Sequence, residues 1–243
     1  MISRAKARVA IVGVGGLGAP VAMALSRAKV GALILIDDDV VDRTNLHRQI
    51  LYRDADVGRH KLEAARDAIA RISETRVELR RGLLHPGSTS LLDDADVIVE
   101  CSDRYAVKFL AADVARLTER PIVHGAAIRW VGTAMASGPR GGPCYRCLFE
   151  DAPEGAQQSC DVAGVIGPVC GIVGAVQAHF TLKILDGNAS AVFGTIASFG
   201  GRTDTLRLRT AARRASCPLC GTSPTIDRIE PTRYASPPPC DLS

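Results

Sequence analysis

The sequence predicts a doubly wound α/β fold, a mostly parallel sheet with helices on both faces. Three features lead to it. Residues 8–12 and 33–36 are continuous apolar runs, which suits strands buried on both sides rather than on one. Between them, "VGVGGLG" places Gly13, Gly15, Gly16 and Gly18 where a strand turns sharply into a helix and can hold a phosphate. Strand-like and helix-like segments then alternate to about residue 130, the order expected of parallel strands joined by crossovers.

The elements follow in order. A helix is expected over 17–29, and the second strand ends in Asp37. A helix over 59–72 carries Leu62, Ala65, Ile69 and Ile72 on one face and charges on the other. "VELRRG" at 77–82, "DADVIVECSD" at 94–103 and "PIVHGAAI" at 121–128 are the third, fourth and fifth strands. Such a Rossmann-like sheet binds its ligand beyond the carboxyl ends of the strands. After residue 130 come shorter strands, a loop at 150–163, a helix near 171–186 and the strand-like "TDTLRLR". The tail "SPPPCDLS" has the composition of a disordered end. The chain is read as one domain, with a nucleotide-binding half at 1–130, a second half at 131–230 and a tail at 231–243.

Composition limits the function classes. The 243 residues are 47% hydrophobic and 23% charged, enough for one large core. A net charge of +4 with scattered basic residues, and an aromatic content of 4%, exclude a nucleic-acid footprint. "MISRAKAR" followed by an apolar stretch imitates a signal peptide, but the glycine spacing and the second strand "LILIDDD" argue for a folded strand, turn and helix. The apolar segment 162–178 is interrupted by Pro168 and glycines, so no membrane span is expected and a cytoplasmic location is.

The glycine loop and Asp37, 24 residues after Gly13, suit the phosphate and ribose of NAD and of ATP alike. The next segment separates the two. Asn45, Arg48 and Gln49 follow the ribose carboxylate, and Lys61 opens the next helix. A triphosphate with about four charges needs such fixed cations and a metal, which a dinucleotide does not. Asp103, at the end of the fourth strand, stands where a magnesium ligand belongs. Taken singly, Arg48 and Lys61 also suit a solvated surface, and Asp103 also suits a cap for a helix beginning at Arg104.

Two C-x-x-C pairs, Cys144/Cys147 and Cys217/Cys220, are separated by 69 residues and supply four soft ligands for a tetrahedral zinc ion. Such a site has no open position, so its role is to staple a smaller C-terminal lobe. His47, His60, His85, His124 and His179 show no ligand spacing and are read as structural or surface residues.

"IVGVGGLGAP", "LIDDDVVDRTNLHRQIL", "DVGRHKLEAA", "ECSDR", "HGAAIRWVG", "PCYRCLF", "SCDVAGVIGPVCGIVG" and "CPLCGTSPTI", in this order from about residue 8 to 230, resemble the MoeB/ThiF/HesA family. These are bacterial relatives of ubiquitin-activating enzymes. The resemblance implies ATP-dependent adenylation of the C-terminal glycine of a small ubiquitin-like sulfur carrier of the ThiS/MoaD type ending in Gly-Gly. The expected products are an acyl-adenylate and pyrophosphate. It assigns Gly16 and its neighbours to phosphate, Asp37 to ribose, Asn45, Arg48 and Lys61 to the triphosphate, and Asp103 to magnesium. It also implies a structural zinc and a homodimer. Cys160 corresponds to a cysteine that in thiamine-pathway relatives can link covalently to the carrier; its other reading is an ordinary loop cysteine.

Two features depart from the family. Members begin with a segment resembling "RYxRQ", whose arginine reaches the partner subunit's ATP; here seven residues precede the first strand, and Arg4 lies close to it. Arg104 follows Asp103 where the family has asparagine, and it can supply the missing positive charge. No sulfur-donor domain follows residue 230, so a separate donor is expected. Three alternatives stay open: a dinucleotide-dependent oxidoreductase, a member activating another peptide or carboxylate, and a degenerate scaffold that binds a carrier without activating it.

Overall fold

The computed structural model describes residues 3–149 and 164–234. Among them an eight-stranded sheet runs in the order β3-β2-β1-β4-β5-β6-β7-β8. The strands are β1 (Arg8–Val12), β2 (Ala32–Asp37), β3 (Arg76–Arg81), β4 (Val97–Glu100), β5 (Ile122–Ile128), β6 (Val131–Ser137), β7 (Thr195–Gly200) and β8 (Thr205–Thr210). β3, β2, β1, β4 and β5 pair in parallel. The sheet then reverses, and β6, β7 and β8 join antiparallel. The strand order changes direction between β1 and β4, which opens a crevice at their carboxyl ends.

The apolar runs do what their composition predicts. Val9, Ile11, Leu33, Leu35 and Val99 point into one core, beneath α1 (Gly18–Arg27), α2 (Lys61–Ala70) and the long helix over Gly167–Leu185. Ala10, Val12, Ile34, Ile36 and Ile98 point into the other, beneath α3 (Tyr105–Leu117). Every residue of β2 is buried. A one-turn helix, α4 (Tyr145–Leu148), precedes the long helix, which is therefore α5.

Two boundaries differ from the sequence reading. β4 is shorter than 94–103 because Asp94 has φ of 61°, outside strand geometry, and the chain turns away after Glu100. α5 is not broken by Pro168. The proline lies in the first turn, where its missing amide hydrogen has no helical partner to lose. The result is a continuous helix of 19 residues with mean hydropathy 1.4, long and apolar enough by that measure to cross a membrane. Half of it is buried inside the fold. A Cβ on Gly174 would collide with Pro20 and the carbonyl of Leu17, so the glycine sets how closely α5 and α1 approach.

Candidate functional site: a cavity beyond the strand ends

The glycine loop is held by its own neighbours. Gly13 has φ of 85°, a conformation that favours glycine, and its amide donates to the carbonyl of Ile36 at 2.8 Å. A Cβ on Gly18 would collide with the carbonyl oxygen of Gly13, so the turn closes only with glycine there. The amide of Val14 donates to Asp37 Oδ2 at 2.7 Å, and the amide of Asp39 donates to Oδ1 at 2.9 Å. The Tyr52 hydroxyl donates to the carbonyl of Val14 at 2.7 Å. Burial pushes the Asp37 carboxyl up, against the charge of Lys61 and the two amides. Each Asp37 oxygen keeps a further lone pair for an incoming hydroxyl.

The segment after β2 folds back over this loop. Asp42 accepts from the amide of Thr44 at 2.7 Å and starts a tight turn at Arg43–Asn45. The carbonyl of Asn45 accepts from the amides of Arg48 and Gln49. The turn lays the Arg48 side chain across Gly16, with Cγ 3.5 Å from where a Cβ would stand. Gln49 packs beside Gly15, buried, and its Oε1 has no hydrogen-bond partner among the described residues. Lys61 is the first residue of α2, and its Nζ donates to Asp39 Oδ2 at 2.7 Å. Asp103 and Arg104 are exposed at the turn from β4 into α3. The N-cap of α3 is Arg104, not Asp103, so helix capping does not account for the aspartate.

Every residue the sequence assigns to phosphate, ribose or magnesium, except Gly18, lines one cavity of about 940 Å³. Gly18 sits behind it and closes the turn. The cavity continues past β5 onto the antiparallel half of the sheet, where Ile128, Val131, Leu148 and Phe149 are exposed apolar residues on its wall. It therefore has a charged end and an apolar end.

A buried polar cluster in the cavity wall was not foreseen. Lys108 Nζ donates to Glu100 Oε2 at 2.8 Å and to the carbonyl of Gly125 at 2.5 Å. Glu100 Oε1 accepts from the amide and hydroxyl of Ser102 at 2.7 and 2.6 Å. His124 is the cross-strand partner of Glu100, with Nδ1 3.6 Å from its carboxylate and the ring against Tyr145 at 4.5 Å. Burial works against the ionised form of Glu100, yet the charge of Lys108 holds its carboxyl below the usual range. Burial lowers His124, which favours a neutral ring. His124 is thus a buried residue of the cavity wall. Its link to Glu100 depends on strand register, which no local spacing encodes.

The four cysteines converge. The Sγ atoms of Cys144 and Cys217 are 3.6 Å apart, those of Cys147 and Cys220 3.3 Å, and all four lie within 4.8 Å of one another. Four soft donors at this spacing fit a tetrahedral ion with metal–sulfur bonds of about 2.3 Å. The amide of Arg214 donates to Cys147 Sγ at 3.4 Å. Burial opposes the thiolate of Cys147, but that amide and the one at Cys144 bring its pKa down to about 7. The residues between the first two cysteines reach into the body of the protein: Tyr145 packs on His124, and Arg146 forms a two-point ion pair with Asp113.

Of the remaining sequence assignments, Cys160 falls outside the described residues. Arg4 pairs with Asp186 just after α5, with Nε 3.0 Å from Oδ1, and does not line the cavity.

Comparisons with known proteins place the chain in a family and show its fold elsewhere. The model of the ThiF family matches residues 3–219. The chain is 35% identical over 228 residues to "Adenylyltransferase and sulfurtransferase MOCS3" of Anopheles gambiae, covering 92% of this chain and 52% of that protein. It is 38% identical over 234 residues to "SAMP-activating enzyme E1" of Haloferax volcanii, covering 93% and 84%. The chain thus spans about half the length of the MOCS3 relatives it matches. Among solved structures, E. coli MccB with ATP superposes with a TM-score of 0.76 at 22% identity, covering 90% of this chain and 68% of that one. E. coli MccB with MccA-N7isoASN gives 0.80 at 20%, again covering 90% and 68%. The fold is shared with these structures, and by the extent of the family match the chain belongs to the ThiF family.

Proposed function

We propose that this chain is an adenylyltransferase that uses ATP to activate the C-terminal glycine of a small ubiquitin-like sulfur carrier of the ThiS/MoaD type, releasing pyrophosphate ahead of sulfur transfer. One observation carries the reading: the glycine loop, Arg48, Lys61 and Asp103 meet in a single cavity that runs on to the exposed apolar side chains of Ile128, Val131, Leu148 and Phe149. The charged end suits the nucleotide and the apolar end suits a protein partner whose tail threads inward. The names of the relatives, which include an adenylyltransferase and a SAMP-activating enzyme E1, support the same chemistry.

The carrier carboxylate is ionised near neutral pH and needs no general base. Its difficulty is approach to a polyanion, so the residues must neutralise charge and align the attack on the α-phosphate. Loop amides at the start of α1 hold phosphate oxygens, Arg48 offers a planar two-point contact, and Lys61 a point charge. Asn45 and Gln49 add neutral hydrogen bonds, and Asp37 takes the ribose. Asp103 would hold magnesium, and the ion would supply positive charge beside the phosphates. In this reading zinc staples the smaller C-terminal lobe, the sulfur comes from a separate donor, Cys160 is the acceptor thiol if one is used, and the working form is a cytoplasmic homodimer.

The test is ATP–pyrophosphate exchange with magnesium and a panel of carriers ending in Gly-Gly, together with short peptides. Exchange dependent on one carrier supports the reading and names the partner; exchange with a peptide alone moves the protein to a different substrate class; ATP binding without exchange favours a scaffold. Arg104→Ala is expected to reduce exchange about tenfold or more, as removal of one cation from a phosphoryl site does. Unaltered exchange would remove Arg104 from the site. Metal analysis of the purified protein is expected to give one zinc per chain, lost together with thermal stability in Cys217→Ser.

A further inference from the structure

Lys61 stands in a costly place. Its side chain is 6% exposed, and it opens α2, where the positive pole of the helix opposes a cation. Asp39 offsets both costs. Its carboxylate accepts from Lys61 Nζ at 2.7 Å while remaining 60% exposed itself, so the pairing requires little desolvation of the carboxylate. Its carbonyl accepts from the amide of Lys61 at 3.0 Å. Its amide donates to Asp37 Oδ1, whose partner oxygen holds the amide of Val14. A continuous run of hydrogen bonds therefore joins the glycine loop, Asp37, Asp39 and Lys61.

We infer that Asp39 is a positioning residue for nucleotide binding, fixing the Lys61 ammonium so that its remaining protons face the triphosphate. The inference rests on the proposed use of ATP. An ammonium has three donors, and one on Asp39 leaves two for phosphate oxygens. A lysine held in one rotamer loses less freedom when the ligand arrives. The opposite role, in which Asp39 competes with phosphate for the ammonium, predicts the opposite sign.

The experiment is titration of ATP and of AMP against the wild type, Asp39→Asn, Asp39→Glu, Lys61→Ala and the double variant Asp39→Asn/Lys61→Ala. Asp39→Asn is expected to weaken ATP about five- to tenfold, and the double variant to bind ATP within about twofold of Lys61→Ala, as coupled neighbours do. AMP, which lacks the outer phosphates, should stay within about twofold throughout, and Asp39→Glu should recover most of the ATP affinity. Tighter or unchanged ATP binding by Asp39→Asn overturns the inference. So does an equal loss for AMP, which would mean that the loop itself has collapsed. A wild type that binds no ATP overturns the proposed function and this inference with it; a wild type that binds ATP beside an unaffected Asp39→Asn overturns this inference alone.

Discussion

Asp113→Ala is expected to lower the free energy of unfolding by about 3–5 kcal/mol, the usual effect of removing one partner from a buried ion pair. Asp113 is fully buried and Arg146 is 2% exposed. The guanidinium donates through Nε and Nη2 to the two carboxylate oxygens at 2.8 and 2.9 Å, and it lies over the ring of Phe109 at 4.8 Å. Tyr234 also donates to Asp113, at 2.6 Å. The alanine variant leaves a guanidinium buried without its carboxylate. Tyr234→Phe removes a single hydrogen bond and should cost about 1–2 kcal/mol. Urea denaturation of the three proteins reads both values, and equal midpoints for wild type and Asp113→Ala would show that the pair does not support the fold.

Arg48→Ala is expected to reduce carrier-dependent exchange by about 100- to 1,000-fold, the scale on which preorganised charges act at a reacting phosphate. Its side chain lies across Gly16 and both residues line the cavity, so under the proposed function it sets a cation beside the glycine loop. Arg48→Lys should recover little, because an ammonium cannot reproduce a planar two-point contact. Thermal midpoints close to wild type would assign the loss to the site rather than to folding. Exchange within twofold of wild type would place Arg48 outside it.

These two residues also mark what could be read in advance. Arg48 was legible because its neighbours are local: the glycine loop, Asp37, Asn45 and Lys61 all fall in the first 61 residues, and their spacing reflects one strand–turn–helix unit and its return. β1 and β2 were legible because burial on both faces demands unbroken apolar runs. The cysteine pairs were legible because metal ligation constrains residue type as well as spacing. The pairing of Asp113 with Arg146 and Tyr234 was not, since the partners come from three elements and share no period. Glu100 with Lys108 and His124 fails for the same reason. The antiparallel return escaped strand-by-strand reading because β6, "VGTAMAS", is rich in small residues and lacks an alternation of polar with apolar side chains. Pro168 misled because a proline that ends one helix and a proline that starts another look alike without their surroundings.

The reversal of the sheet after β5 has a consequence for how such a protein can change over generations. The parallel strands present loops at their carboxyl ends, and those loops line the charged end of the cavity; Ile128 and Val131, where the sheet turns antiparallel, line its apolar end. The two ends of the cavity are drawn largely from separate stretches of chain, which adjoin where β5 pairs with β6. Under the proposed function, substitutions at the apolar end can therefore accumulate, and with them a preference for a new partner, while the loops at the charged end stay unchanged.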